Sequence, residues 1–140
     1  MLIDLLGDLN WLAVAVATLA WFVFAAVWYS VPPISAAWIK ATKVQPMGSG
    51  GSMPPPSTMI ATLVAYFVTT IVIALLVAAL AITEVDNAIE LGVLLGVGFG
   101  LVLAFITQIY EQKGSSYWLI NGVAAIIAFS IVSVILALWN

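Results

Sequence analysis

The sequence predicts an all-α, polytopic membrane protein, with four transmembrane helices packed as a bundle of two hairpins. Three observations predict it. The 140 residues are 65% hydrophobic and only 6% charged, against about 25% charged in ordinary soluble domains, and mean hydropathy is +1.25. The apolar residues fall into four long runs, and about 20 residues rising ~1.5 Å each cover the ~30 Å hydrocarbon core. Within the runs polar and apolar residues do not alternate, which excludes the strands of a membrane barrel.

The four spans are expected at about 11–30, 58–82, 88–110 and 117–139, forming one membrane domain over 1–140. Ahead of the first, "MLIDLLGDLN" places Asp4 and Asp8 where a secretory signal carries basic residues, so the first span is expected to be retained. Asn10 stands at its N-terminus, able to accept from a free helix N–H. The span runs out into "WYSVPPISAAWIK". Trp28 and Tyr29 suit the headgroup level, where rings with one polar atom collect. Pro32 and Pro33 end the helix, and "ISAAWIK" is expected to lie as a short interfacial helix, with Ile34 and Trp38 dipping inward and Lys40 reaching outward. The loop at about 44–57, "QPMGSGGSMPPPS" from Gln45, is Gly/Ser-flexible and proline-stiff and reads as a tether. "NAIE", Asn87 to Glu90, fits a capping box at the start of the third span, and Ser115 and Ser116 precede the fourth.

Lys40 and Lys43 lie between spans one and two, and Lys113 between three and four, whereas Asp4, Asp8, Glu84, Asp86 and Glu90 all fall on the opposite side. The excess of lysine in cytoplasmic loops of membrane proteins then sets both termini outside.

The chemistry is mostly exclusion. There is no His, Cys or Arg, and three lysines give no basic footprint, so no nucleic-acid partner is expected. No acid or base falls near the middle of a span, where one would signal a functional site. No paired carboxylates, nucleophile–base pair or phosphate loop can be assembled. The expectation is a protein without catalytic residues, metal or cofactor.

The polar residues most costly in lipid are Gln108 and Asn121, near the facing ends of spans three and four. An interhelical hydrogen bond between them, worth about 0.5–2 kcal/mol, is expected; the alternative is a small polar pocket made by Gln108, Tyr110, Glu111 and Asn121. In "GVLLGVGFG", Gly92, Gly96 and Gly100 recur every four residues and form a groove that lets helices approach closely. It would serve packing inside the unit or contact with another membrane chain.

Two stretches, "NWLAVAVATLAWFVFAAVWYS" and "YEQKGSSYWLINGVAAIIAF", resemble the DUF1761 family of small bacterial and archaeal membrane proteins. The matching positions are Asn10-Trp11, Trp28-Tyr29-Ser30 and Trp118 with Asn121-Gly122; the glycine- and proline-rich loop departs from the family pattern. The resemblance implies a four-helix integral protein of a bacterial or archaeal plasma membrane. It marks Trp28, Tyr29, Trp118 and Asn121 and supplies no activity.

The functional expectation is an accessory or structural subunit, or a self-associating unit, acting through helix contacts in the lipid bilayer as a homo-oligomer or in a larger membrane complex. The alternatives are a small oligomeric transporter or channel and, more weakly, a subunit binding a lipid or pigment.

Overall fold

A computed structural model describes residues 1–43 and 54–139. It begins with a 3-10 helix, Ile3–Asp8, followed by α1 (Trp11–Ser30), α2 (Pro32–Thr42), α3 (Pro56–Ala79), α4 (Val85–Leu95), a π-helical segment (Gly96–Leu101), α5 (Val102–Tyr110) and α6 (Ser116–Leu138). The segment from α4 through α5 is one continuous span, Val85–Tyr110, so four helices are long and apolar enough to cross a membrane. All the described regular structure is helical. The expected spans stand within three residues of these limits. Most of the expected tether, residues 44–53, lies outside the described residues; its last proline, Pro56, is the first residue of α3, a position where the missing N–H is not needed.

The helix ends follow local chemistry. Asn10 caps α1 by accepting from the Ala13 N–H at 3.1 Å. The same side chain donates to the Trp139 carbonyl at 3.1 Å, tying the start of α1 to the end of α6. Val31 is extended, as the residue before a proline prefers. Pro32 and Pro33 then open α2 rather than forming a loop. The expected capping box does not form. The helix starts earlier, at Val85 behind Glu84, and has no side-chain cap, so Asn87 already sits inside the first turn. Ser115 likewise makes no cap bond. Two turns close through N–H groups reaching five residues back, Ile82 to Val77 at 3.0 Å and Lys113 to Gln108 at 3.1 Å. This closure places Ala81 and Gln112 at positive φ.

The packing has a hub. α6 touches α1, α2, α3 and the whole third span, whereas the third span packs on α6. Small residues make this possible: Gly122, Ala124, Ala128, Val132, Ser133, Leu136 and Ala137 are the buried positions of α6. The apolar core joins Ala13, Val14 and Ala17 of α1, Ile73, Ala74 and Val77 of α3, Ala88 of α4, and Val132 and Leu136 of α6. It lies toward the end where α1 begins and α6 finishes. Thr18 and Thr70 are buried, and each hydroxyl donates to the carbonyl four residues back, which hides its polarity in the helix. Ser133 is fully buried, and its hydroxyl has no partner among the described residues.

The glycine groove faces α6. A Cβ on Gly92 would overlap the Ser130 backbone and come within 2.8 Å of the Phe129 carbonyl carbon. One on Gly96 would lie 2.9 Å from the Ile126 nitrogen, and one on Gly100 would overlap the Ala125 side chain. From the other side, Gly122 approaches Leu101, with a Cβ position 2.9 Å from its Cγ. Successive contacts on α6 thus step by four, from Ser130 to Ile126 to Gly122. On the third span they step by four, Gly92 to Gly96, and then by five, to Leu101. The wide turn supplies the extra residue, and the Val102 N–H bonds to the Val97 carbonyl five residues back.

Lys40, Lys43 and Lys113 come to one end of the bundle. There the Gly114 N–H, in the loop after Lys113, donates to the Ala41 carbonyl of α2 at 2.8 Å. Glu84, Asp86 and the N-terminal acids stand at the other, the end of the Asn10–Trp139 tie. All three lysines thus share one end, with Glu111 as the acid beside them, and the other acids stand at the opposite end.

Candidate functional site

The lysine-bearing end is built differently from the core. α1 changes character along its length, with Ala13, Val14 and Ala17 in the core, then Trp21, Phe24, Trp28 and Tyr29 toward its C-terminus. Such rings hold neighbouring helices apart and cannot fill every gap between them. Trp21 stacks on Tyr66 of α3 at 4.0 Å and 9° and meets Phe129 of α6 edge-on at 5.4 Å. Trp28 leans on Phe24 at 5.7 Å, with its Nε1 buried and unpartnered among the described residues.

Tyr29, the penultimate residue of α1, donates its hydroxyl to the Asn121 side-chain oxygen of α6. Asn121 in turn donates to the Tyr117 carbonyl at 3.0 Å. The amide is thereby held at both ends. α2 folds back under this pair and brings Trp38 edge-on to the Tyr29 ring at 6.1 Å. A cavity of about 340 Å³ lies between them, lined by Tyr29, Ser35, Trp38, Ile39 and Asn121. On the other side of the same hydrogen bond is a second cavity of about 160 Å³, reaching toward the bundle middle past Phe24 and Tyr66 to Trp21. Tyr29 and Asn121 line both.

Four expected residues are not brought together. Gln108 bonds the Lys113 carbonyl of its own turn, at 3.4 Å. Tyr110 is 83% exposed, and Glu111 is exposed, 4.0 Å from the Lys113 ammonium. Only Asn121 joins the site, and its partner is Tyr29 rather than Gln108. The reason is rotational. Gly122 gives α6 its contact with the third span, and the preceding residue points about 100° away, toward α1. Trp118 packs edge-on against Phe105 at 5.6 Å, outside the cavities. Ser35 and the Trp21–Tyr66 wall were not singled out from sequence. The signal for Trp21 was the recurrence of aromatics at helical spacing along α1; Ser35 carried none.

The family described as "Protein of unknown function (DUF1761)" matches residues 12–137. The chain belongs to the DUF1761 family. The match covers every residue lining the two cavities, Tyr66 of α3 included. No curated protein and no solved structure shows a match. For this DUF1761 protein the site's own chemistry is therefore the guide. It offers the hydroxyls of Tyr29, Ser35 and Tyr66, one carboxamide and aromatic faces, with no carboxylate or amine in the lining.

Proposed function

We propose that this DUF1761 protein is a binding unit of the membrane that holds a lipid-like small molecule between α1, α2 and α6, without catalysing its conversion. The observation that carries the reading is the Tyr29–Asn121 bond, made between residues far apart in sequence and lining two cavities at once. Mostly apolar walls with a few placed polar groups are the general character of ligand sites. Native mass spectrometry of the protein extracted in mild detergent tests it. The expected result is a discrete small molecule retained by the wild type and lost from a Tyr29→Phe, Asn121→Ala double variant. Release of bulk phospholipid alone would overturn the reading.

The second reading, an accessory or self-associating subunit, draws support from the third span. It packs on α6 and leaves Leu94, Phe99 and Leu103 mostly exposed. The glycine groove no longer argues for it, because α6 fills that groove. A protein partner in the same spectra would favour this reading. Charge partition supports placing the lysine-bearing end in the cytoplasm. With no native cysteine, a Lys113→Cys variant should react with an impermeant maleimide only after the cells are opened.

A further inference from the structure

We infer that the ligand is a neutral, single-tailed amphiphile that straddles the Tyr29–Asn121 bond, with its head in the larger cavity and its tail in the smaller, so that this bond is the gate between them. The inference rests on the binding reading above and adds the ligand's chemical class and the route it takes.

Neutrality follows from the walls. Neither cavity is lined by Asp, Glu or Lys, and an unpaired charge moved into such surroundings loses hydration that nothing returns. The head is set by the polar pair. When Tyr29 and Asn121 separate, they present a hydroxyl donor and an amide oxygen acceptor side by side. A head with both a donor and an acceptor, such as a hydroxyl next to an ester carbonyl, replaces the lost bond with two. Trp38 offers an aromatic face beside it.

The tail is set by size. The smaller cavity, about 160 Å³, is close to the ~150 Å³ that accommodates one benzene-sized group, so it takes a single short tail of about six carbons and neither a long acyl chain nor two chains. Its walls run from Tyr29 to Trp21, eight residues or about 12 Å along α1, and are aromatic or small: Phe24, Tyr66 and Ala124. The larger cavity, about 340 Å³, falls at the small end of ligand pockets.

Entry is by way of α2. The helix is bounded by extended Val31 and by Lys43 at φ 58°, two points where the backbone can turn. Its far end is held by the Gly114–Ala41 hydrogen bond. Movement of α2 widens the mouth of the larger cavity, which is already partly open to the surface, and the gate decides passage from there to the smaller.

The test uses the full chain in mild detergent and two photoreactive short-chain monoacylglycerols with acyl tails of about six carbons, one with a diazirine at the chain end and one with a diazirine on the glycerol. The expected result is saturable labelling, with the chain probe on Trp21 or Tyr66 and the glycerol probe on Trp38 or Ile39. Unlabelled monoacylglycerol should compete, and a single-chain anionic phospholipid or a diacylglycerol should compete at least tenfold more weakly. Tyr29→Phe keeps the ring and removes the bond. It should speed labelling of Trp21 about threefold, the factor equivalent to a typical intramembrane side-chain hydrogen bond. Equal competition by all amphiphiles would overturn the ligand class while keeping the binding reading. Labelling at Trp38 without Trp21, or unchanged kinetics in Tyr29→Phe, would overturn the straddling gate. Absence of saturable labelling at either place would overturn both proposals.

Discussion

α6 has two long seams, one with the third span and one with α1, and they are opposites. Along the first, Gly92, Gly96 and Gly122 remove side chains, and backbones meet with no room for a Cβ. Along the second, close packing of Ala13, Val14 and Ala17 gives way to Trp21, Phe24 and Tyr29, and space opens. In lipid, association has no hydrophobic drive between helices and relies on fit and interhelical hydrogen bonds. The glycine seam is held by fit. The aromatic seam is closed at one end by Asn10 with Trp139 and toward the other by Tyr29 with Asn121. The second arrangement leaves space that the first does not, and the proposed ligand site lies in that space.

The largest effect expected is on the glycine seam. Gly96→Leu drives a side chain into the Ile126 backbone and should cost about 3 kcal/mol or more, read as a lower midpoint in detergent unfolding. Gly98→Leu, two residues away with open space around it, should leave the midpoint nearly unchanged. Equal losses from both would break the comparison. On the other seam, Asn10→Ala removes a helix cap and the tie to Trp139 together, for about 1–2 kcal/mol. A double-mutant cycle on Tyr29 and Asn121 should return a coupling of about 0.5–2 kcal/mol, while the same cycle on Gln108 and Asn121 should return none. Ser133→Ala should stabilise slightly, by up to about 1 kcal/mol, because the hydroxyl it removes is buried without a partner.

Much of this architecture was legible because lipid imposes long rules. Four apolar runs, the partition of charge and the Asn10 cap follow from composition and backbone chemistry. The details that decide the site do not. Asn121 was recognisable as a residue that needs a partner, and the hairpin made Gln108 the nearer candidate along the chain. Which neighbour it meets depends on the rotation of α6, fixed by Gly122 against Leu101, a contact across two helices. α2 was foreseen as a short helix, but its docking, through the Gly114–Ala41 hydrogen bond and the Trp38–Tyr29 ring contact, pairs residues that no local pattern pairs. The capping box failed because its four letters were right and the helix began three residues sooner.

The wide turn at Gly96–Leu101 has one more consequence. It takes up one extra residue within a single turn, so that Gly92 and Gly96 before it and Leu101 after it all face α6. Deleting one residue inside it would return that turn to the α-helical step and leave both halves meshed with α6, whereas deleting one from an ordinary turn elsewhere in the span would rotate everything beyond it by about 100°. The glycine-rich stretch is therefore the place where this span can absorb a change of length, as a slack link does in a taut chain.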